Sequence, residues 1–320
     1  MTGAVSRARF PTFFGAPPRD PSRDVKTDVA FLGVPFDLGT TLRPGARFGP
    51  AAVRAASMWW SYHSRDDVPA GGWYDLDLRR WILRGVTMAD WGDVEIAPAV
   101  IPDNLDRITA AAAEILADGS LPVVVGGDHA ITFPVLRAFA DRGPVHVVQF
   151  DTHQDFVDER QGNRFGHGNV MRRVSELPFV AGISQLGLRA LQKYAEPLEA
   201  AAGYGVQTVS ATELRRGGPD AAAAVLPPET ACYLSIDIDV LDIATAPGTG
   251  TPEPGGLSYT EVRDAVRAIA ARCRIIGLDL VEVSPPYDWA EVTARTAARL
   301  LLAALAAMAE RLEPSPPASR

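Results

Sequence analysis

Cysteine is nearly absent from this 320-residue chain: there are two, Cys232 and Cys273, both inside apolar stretches. Two buried thiols do not make a disulfide frame, so a reduced protein with a cytoplasmic address is expected. Positive charge is in deficit, with 31 Lys and Arg against 39 Asp and Glu and a formal net charge of −8. No basic stripe could neutralise phosphates, so nucleic acid is not an expected partner. Long apolar runs are also lacking. The longest of helical period, Leu300 to Ala309, is closed by Arg299 and Glu310 and falls short of the ~20 residues a membrane span needs. The opening MTGAVSRARFPTFFGAPPRDPSRD has no continuous apolar core, so it is not read as a secretory signal. Residues 1–27 are expected to form an irregular proline-rich arm, packed on a neighbouring subunit, and residues 313–320 a frayed, flexible tail. No internal repeat or Gly/Ser linker divides the chain, which is read as a single domain over 1–320.

What is present is an ordinary globular composition, 47% hydrophobic and 22% charged, enough for a real core. Short runs rich in Val, Ile and Leu alternate with Ala-rich stretches of helical period, the pattern of βαβ units and a parallel sheet. Strands are expected at Val29–Gly33, Pro122–Gly126, Val145–Phe150, Ile183–Leu188, Val206–Val209, Cys232–Asp237 and Ile275–Val283. Helices are expected near Pro50–Trp60, Asn104–Asp118, Phe133–Ala140, Val170–Glu176, Leu191–Ala202, Tyr259–Ala271 and Trp289–Leu312. Asp103 is a candidate N-cap, and Gly119 a candidate C-terminal stop.

Polar residues gather where three of these strands end. One runs into Gly127-Asp128-His129, one into Asp151-Thr152-His153-Gln154-Asp155, and one into Asp237-Ile238-Asp239. In an open parallel sheet the ligand crevice lies at the C-terminal strand ends, so these three converge in space. Asp151, His153 and Asp155 alternate along extended chain and face one side, and all are hard or borderline metal ligands. Asp237 and Asp239 repeat the spacing; paired carboxylates at the end of an apolar strand repel unless cations sit between them. With His129 the set holds two His and four Asp. That is too many for one catalytic zinc but suits two divalent ions sharing carboxylates, and Mn²⁺ matches the hardness best. Two such ions would lower the pKa of a shared water and make it a nucleophile.

Gly126-Gly127-Asp128-His129, the Asp151–Asp155 segment, His167-Gly168 and the run SIDIDVLDIATAPGTGTPEPGGL from Ser235 to Leu257 resemble the ureohydrolase family of arginases, agmatinases and guanidino-acid ureohydrolases. The likeness begins at Gly33-Val34-Pro35-Phe36-Asp37, passes through Arg43–Pro50 and ends past Glu282-Val283-Ser284-Pro285, with Thr152 where the family usually has Ala. It implies a three-layer α/β/α sandwich around a mainly parallel sheet of about eight strands, one more than the pattern yields, in trimers or hexamers. It implies two Mn²⁺ per subunit. One would be held by His129, Asp151, Asp155 and Asp237, the other by Asp151, His153, Asp237 and Asp239, with Asp151 and Asp237 bridging.

The reaction implied is hydrolysis of a guanidinium to an amine and urea, with His167, Glu282 and Asp155 as the catalytic set. Guanidinium carbon is a poor electrophile, so it needs a strong nucleophile and a carboxylate to orient the planar cation; Glu282 resembles the family residue that orients it. His167, its ring expected to be exposed between glycines, resembles the proton shuttle to the leaving amine. Thr251 and Asn169 are candidate substrate contacts. His146 reads as a satisfied core histidine and His63 as a surface one, while Trp59 and Trp60 read as packing residues. The loop Thr40–Gly49 carries Arg43 and Arg47 but lacks a P-loop's Gly-Lys-Ser/Thr, and is read as bordering the site.

Where arginases receive the amino-acid head, this chain has Val157, Phe165, Ala190 and Gln192. Those side chains serve a charged head poorly, which disfavours arginine and leaves agmatine or a small ω-guanidino acid such as guanidinobutyrate. Arg172 or Arg173 is a candidate for a substrate carboxylate, though a helix-surface role suits both. The competing readings are formiminoglutamase-like or deacetylase-like hydrolysis on the same fold, and a metal-binding member without turnover.

Overall fold

The computed structural model describes residues 10–20, 22, 26–61 and 72–310. Among them, in chain order, are β1 (Val29–Val34), α1 (Gly49–Ser57), β2 (Trp73–Asp75), β3 (Arg80–Ile82), β4 (Met88–Asp93), α2 (Ile101–Asp118), β5 (Leu121–Gly126), α3 (Thr132–Arg137), β6 (Val145–Phe150), α4 (Val170–Ser175), β7 (Val180–Leu188), α5 (Glu196–Tyr204), β8 (Gln207–Ser210), α6 (Ala211–Ala224), β9 (Ala231–Asp237), α7 (Tyr259–Arg272), β10 (Arg274–Val281) and α8 (Val292–Ala309). His63 and the tail 313–320 lie outside the described residues.

Eight strands form one sheet in the order β4-β1-β5-β10-β9-β6-β7-β8, and every neighbouring pair is parallel. Alternate side chains enter two separate cores. Phe31, Val123, Val125 and Leu234 pack with α1, α6, α7 and α8, whereas Leu32, Val124, Val147 and Tyr233 pack with α2, α3, α4 and α5. The result is the three-layer sandwich the sequence implied. The expected thiols are there: Cys232 and Cys273 are buried and form no disulfide.

The strand missed from the sequence is β4, whose MADWGD reads as a polar turn rather than a strand. It is an edge strand, so it needs only one apolar neighbour, and its outer side is covered by the arm. Arg19 N–H donates to Asp90 O at 2.7 Å and Asp90 N–H donates to Pro17 O at 2.9 Å. Phe13 and Phe14 are buried in the core of the same chain. The described part of the arm therefore packs on its own subunit, where it caps an edge that would otherwise be open to pairing.

The hairpin of β2 and β3 and the helix α6 were also missed. In α6 the capping box of Ser210 and Glu213 is plain in the sequence, but Gly217-Gly218-Pro219 interrupts the period, and Gly218 is indeed non-helical. α2 begins two residues before Asp103, with Pro102 in its first turn, so Asp103 is not the N-cap; Gly119 ends it with φ 85° as expected. The stretch Trp289–Ala309, with 21 residues and mean hydropathy 1.4, is long and apolar enough to cross a membrane, which corrects the shorter run read from the sequence. It is 78% buried inside this fold, lying against α1 and α7, as a core helix covered on most faces must.

Candidate metal centre

The C-terminal ends of the four central strands β5, β10, β9 and β6 deliver the polar residues to one crevice, where the order of the strands brings distant segments together. After β5 the chain turns at Gly127, where a Cβ would lie 1.9 Å from Phe36 O, so only glycine fits. Asp128 then fixes the turn: its Oδ1 accepts from Ala130 N–H at 3.0 Å and its Oδ2 from Gly39 N–H at 2.7 Å.

His129 Nδ1 lies 3.0 Å from Asp151 Oδ2, 3.1 Å from Asp237 Oδ2 and 3.3 Å from Asp155 Oδ2. His153 Nδ1 lies 3.1 Å from Asp239 Oδ2 and 3.5 Å from Asp151 Oδ1. Two groups able to hold a metal ion result, His129-Asp151-Asp237 and Asp151-His153-Asp239, each with its ligand atoms within 4.8 Å of one another. Asp151 belongs to both, one oxygen facing each histidine. Asp237, expected as a second bridge, stands in the first group alone, its Oδ1 accepting from Asp239 N–H at 2.8 Å. Asp155 reaches His129 from a left-handed backbone, φ 52°, which costs a non-glycine residue about 1–2 kcal/mol.

The electrostatics of this set call for added positive charge. Burial, and then the Asp239 and Asp151 charges, push the Asp237 carboxyl well above its usual range. Burial likewise lifts Asp239 to about 6, and burial with the Asp151 charge raises Asp155. Burial would draw His153 down, but Asp239 and Asp151 hold it up at about 12. Buried carboxylates crowded like this reach full ionisation only with cations among them.

The tautomer of His129 points the same way. Ser235 Oγ donates to Asp279 Oδ1 at 2.7 Å, so the serine oxygen accepts from His129 Nε2–H at 2.9 Å. That leaves Nδ1 aimed at three carboxylates, which favour a proton there, and a metal ion bound among them would take that proton's place on a ring whose other nitrogen is held from behind. Gln149 supports the other side, donating to Asp151 Oδ2 at 2.6 Å. The sequence did carry a signal for Gln149, Ser235 and Asp279: they are fully buried polar residues inside otherwise apolar strands.

A second pair adjoins the first. His167 Nδ1 lies 3.0 Å from Glu282 Oε1, which also accepts His129 N–H at 2.9 Å. Glu282 is buried at φ 64°, held by donating its own N–H to Gly127 O at 2.8 Å. His167 is only 9% exposed, correcting the expectation of an open ring. The loop after β1 lies across it, with Thr41 Oγ1 2.8 Å from Nε2 and His167 N–H donating to Gly39 O at 3.1 Å. Burial lowers its pKa, but the Glu282 carboxylate outweighs that and holds it up at about 9.

The candidate substrate contacts divide. Thr251 stands beside the cluster, its Oγ1 donating to Asp239 Oδ2 at 3.4 Å. Asn169 does not face substrate: its Oδ1 accepts from Gly166 N–H at 3.1 Å and its Nδ2 donates to Val157 O at 2.8 Å. Arg172 pairs with Glu196 at 3.3 Å on the helix surface, whereas Arg173 is buried: its Nη2 pairs with Glu176 at 2.9 Å and with Asp158, and its Nε and Nη1 have no hydrogen-bond partner among the described residues. Arg43 donates to Thr249 O and Gly250 O at 2.7 and 2.9 Å, tying the loop after β1 to the segment that carries Thr251. Arg189, which the sequence did not single out, pins the same rim through the carbonyls of Asp239, Val240 and Glu253.

Residues 27–307 match the model of the family described as Arginase family. The chain belongs to the arginase family. It is 36% identical over 298 residues to the human mitochondrial guanidino acid hydrolase, covering 88% of this chain and 78% of that protein. It is 38% identical over 280 residues to guanidinobutyrase of Pseudomonas aeruginosa, covering 86% and 84%. The structure of proclavaminate amidino hydrolase from Streptomyces clavuligerus superposes with a TM-score of 0.83 at 32% identity, covering 94% of this chain and 98% of that one. The family depends on a binuclear metal centre, and this chain has two groups able to hold a metal ion that share Asp151.

Proposed function

We propose that this protein hydrolyses the guanidino group of a small compound to urea and an amine, using two Mn²⁺ held by His129, Asp151, His153, Asp155, Asp237 and Asp239. The observation that carries the reading is Nδ1 of His129, oriented by Ser235 towards three carboxylates, beside a second His-carboxylate group sharing Asp151. The guanidino substrates in the relatives' names support it. Bound there, the ions supply Lewis acidity and a water of lowered pKa.

The chain's own residues do the rest. Glu282 presents a buried carboxylate to the planar cation and keeps His167 in place through Nδ1–H. The Glu282 carboxylate raises the affinity of the His167 ring for a proton, which suits it to pass one to the leaving amine. Thr251 borders the Asp239 end. A cytoplasmic address accords with two buried cysteines outside any disulfide, and a trimer or hexamer accords with the exposed Trp59 and Trp289.

The test is urea release by the Mn²⁺-loaded protein across guanidinobutyrate, guanidinopropionate, agmatine, guanidine and arginine, with metal counted in the same sample. Urea together with two ions per chain is expected. Formamide from a formimino substrate, with no urea from any guanidino compound, overturns the reading in favour of the formimino hydrolase.

A further inference from the structure

A cavity of about 250 Å³ opens outward from the metal centre. Its inner end is formed by His153 and Asp155, and its walls by the apolar Val157, Leu188, Leu191 and Leu198. At the exposed end stands Arg160, and among the described residues no acidic side chain other than Asp155 lines the space.

The other arginines nearby are ion-paired or tied to backbone, and none lines this cavity: Arg164 pairs with Asp158 and Glu176 at 3.0 and 3.3 Å, Arg172 with Glu196, the buried Arg173 with Glu176 and Asp158, and the half-buried Arg189 donates to carbonyls. Arg160 forms no ion pair with any carboxylate among the described residues, and its guanidinium makes no hydrogen bond with them. Only its backbone is engaged. Arg160 N–H donates to Asn163 O at 2.9 Å and its carbonyl accepts from Asn163 N–H at 3.0 Å. Between them Gln161 and Gly162 both have positive φ, 53° and 80°, the geometry of a tight two-residue hairpin turn. The turn fixes the stem from which the free cation reaches the cavity.

We infer that the substrate is an ω-guanidino carboxylate, its guanidinium lying at the metal centre at the inner end, its methylenes on the apolar walls, and its carboxylate received by Arg160. This rests on the guanidino hydrolysis proposed above and names its substrate class. A guanidinium and a carboxylate pair as two parallel hydrogen bonds, a geometry an ammonium cannot use. A guanidino amine such as agmatine would bring its ammonium towards the Arg160 cation, a like-charge contact that selects against it. An arginine head would bring the same ammonium to an outer end with no carboxylate to pair with it.

The experiment measures urea release from 4-guanidinobutyrate and from agmatine for wild type, Arg160→Ala, Arg160→Lys and Arg160→Glu, with bound metal counted in each. Arg160 is exposed and its side chain holds no other part of the fold, so the variants should fold and load metal as wild type does. Wild type is expected to prefer guanidinobutyrate. Arg160→Ala should lower the ratio of kcat/KM for guanidinobutyrate over agmatine by ~10–100-fold, mainly through KM, in line with one charge-assisted pair. Arg160→Lys should restore part of that ratio, and Arg160→Glu should move the two substrates in opposite directions. Urea from both substrates with agmatine preferred by wild type, or a ratio unmoved by Arg160→Ala, overturns the inference while guanidino hydrolysis stands. No urea from either substrate with two metals bound overturns hydrolysis and the inference together.

Discussion

His129 and His146 are both buried, and each has a serine Oγ 2.9 Å from Nε2, Ser235 for the first and Ser184 for the second. What faces the other nitrogen differs. At His129, Nδ1 meets three carboxylates; at His146 it abuts Gly182, where a Cβ would come within 2.8 Å of the ring. Burial alone takes His146 down to about 4, whereas at His129 the same burial is overturned by Asp151, Asp155 and Asp237 and the pKa is raised well above its usual value. One residue type on one sheet thus serves as a neutral core group at one place and a candidate ligand at another. The deciding factor is which strand end collects the carboxylates.

Four substitutions break or sharpen that contrast, in falling order of effect. Asp237→Ala should abolish metal binding and urea release together, since it removes a carboxylate from His129 and the acceptor that holds Asp239 N–H. Two metals per chain retained in that variant would contradict its place in the centre. His167→Ala should lower turnover by ~10²–10⁴-fold, the usual worth of a positioned general acid, with both metals still bound. Unchanged turnover would remove His167 from the chemistry. Ser235→Ala frees the His129 ring from its fixed tautomer and should weaken metal affinity by ~10–100-fold, read by metal titration. The matching Ser184→Ala should cost ~1–3 kcal/mol of stability through an unpaired ring N–H and leave metal affinity where it was. Equal metal affinities in the two serine variants would erase the distinction between the two histidines.

The site was more legible in the sequence than its surroundings. Ligand spacing at strand ends is local, so Asp151, His153, Asp155, Asp237 and Asp239 could be read directly, and the parallel sheet brought them together. The depth of His167 was not local: its ring is covered by Gly39 and Thr41, more than a hundred residues earlier in the chain. Nor could the sequence tell which arginine stays free, because Arg160, Arg164, Arg172 and Arg173 differ only in which acids the fold brings beside them. β4 escaped for a related reason. An edge strand needs little apolar pattern once another segment covers it, and here the arm does so through Pro17, Arg19 and the buried Phe13.

At neutral pH the smallest effect belongs to His146, and it becomes visible only as the solution is acidified. Its folded-state pKa near 4 lies below the ordinary 6.5, so between those values the unfolded chain binds a proton that the native one refuses. Stability from this group is complete above pH 6.5 and is lost as pH falls through that window, at up to ~1.4 kcal/mol per pH unit. His146→Gln keeps a polar group beside Ser184 but cannot titrate. The difference in unfolding free energy between wild type and variant, taken from denaturant midpoints at pH 7, 6, 5 and 4.5, should therefore shift steadily against wild type as the solution is acidified. Acid effects on the metal centre are common to both proteins and cancel in that difference. A gap that stays constant across the series would mean that the native fold accepts the proton at His146, and that burial beside Gly182 does not separate this histidine from the one among the carboxylates.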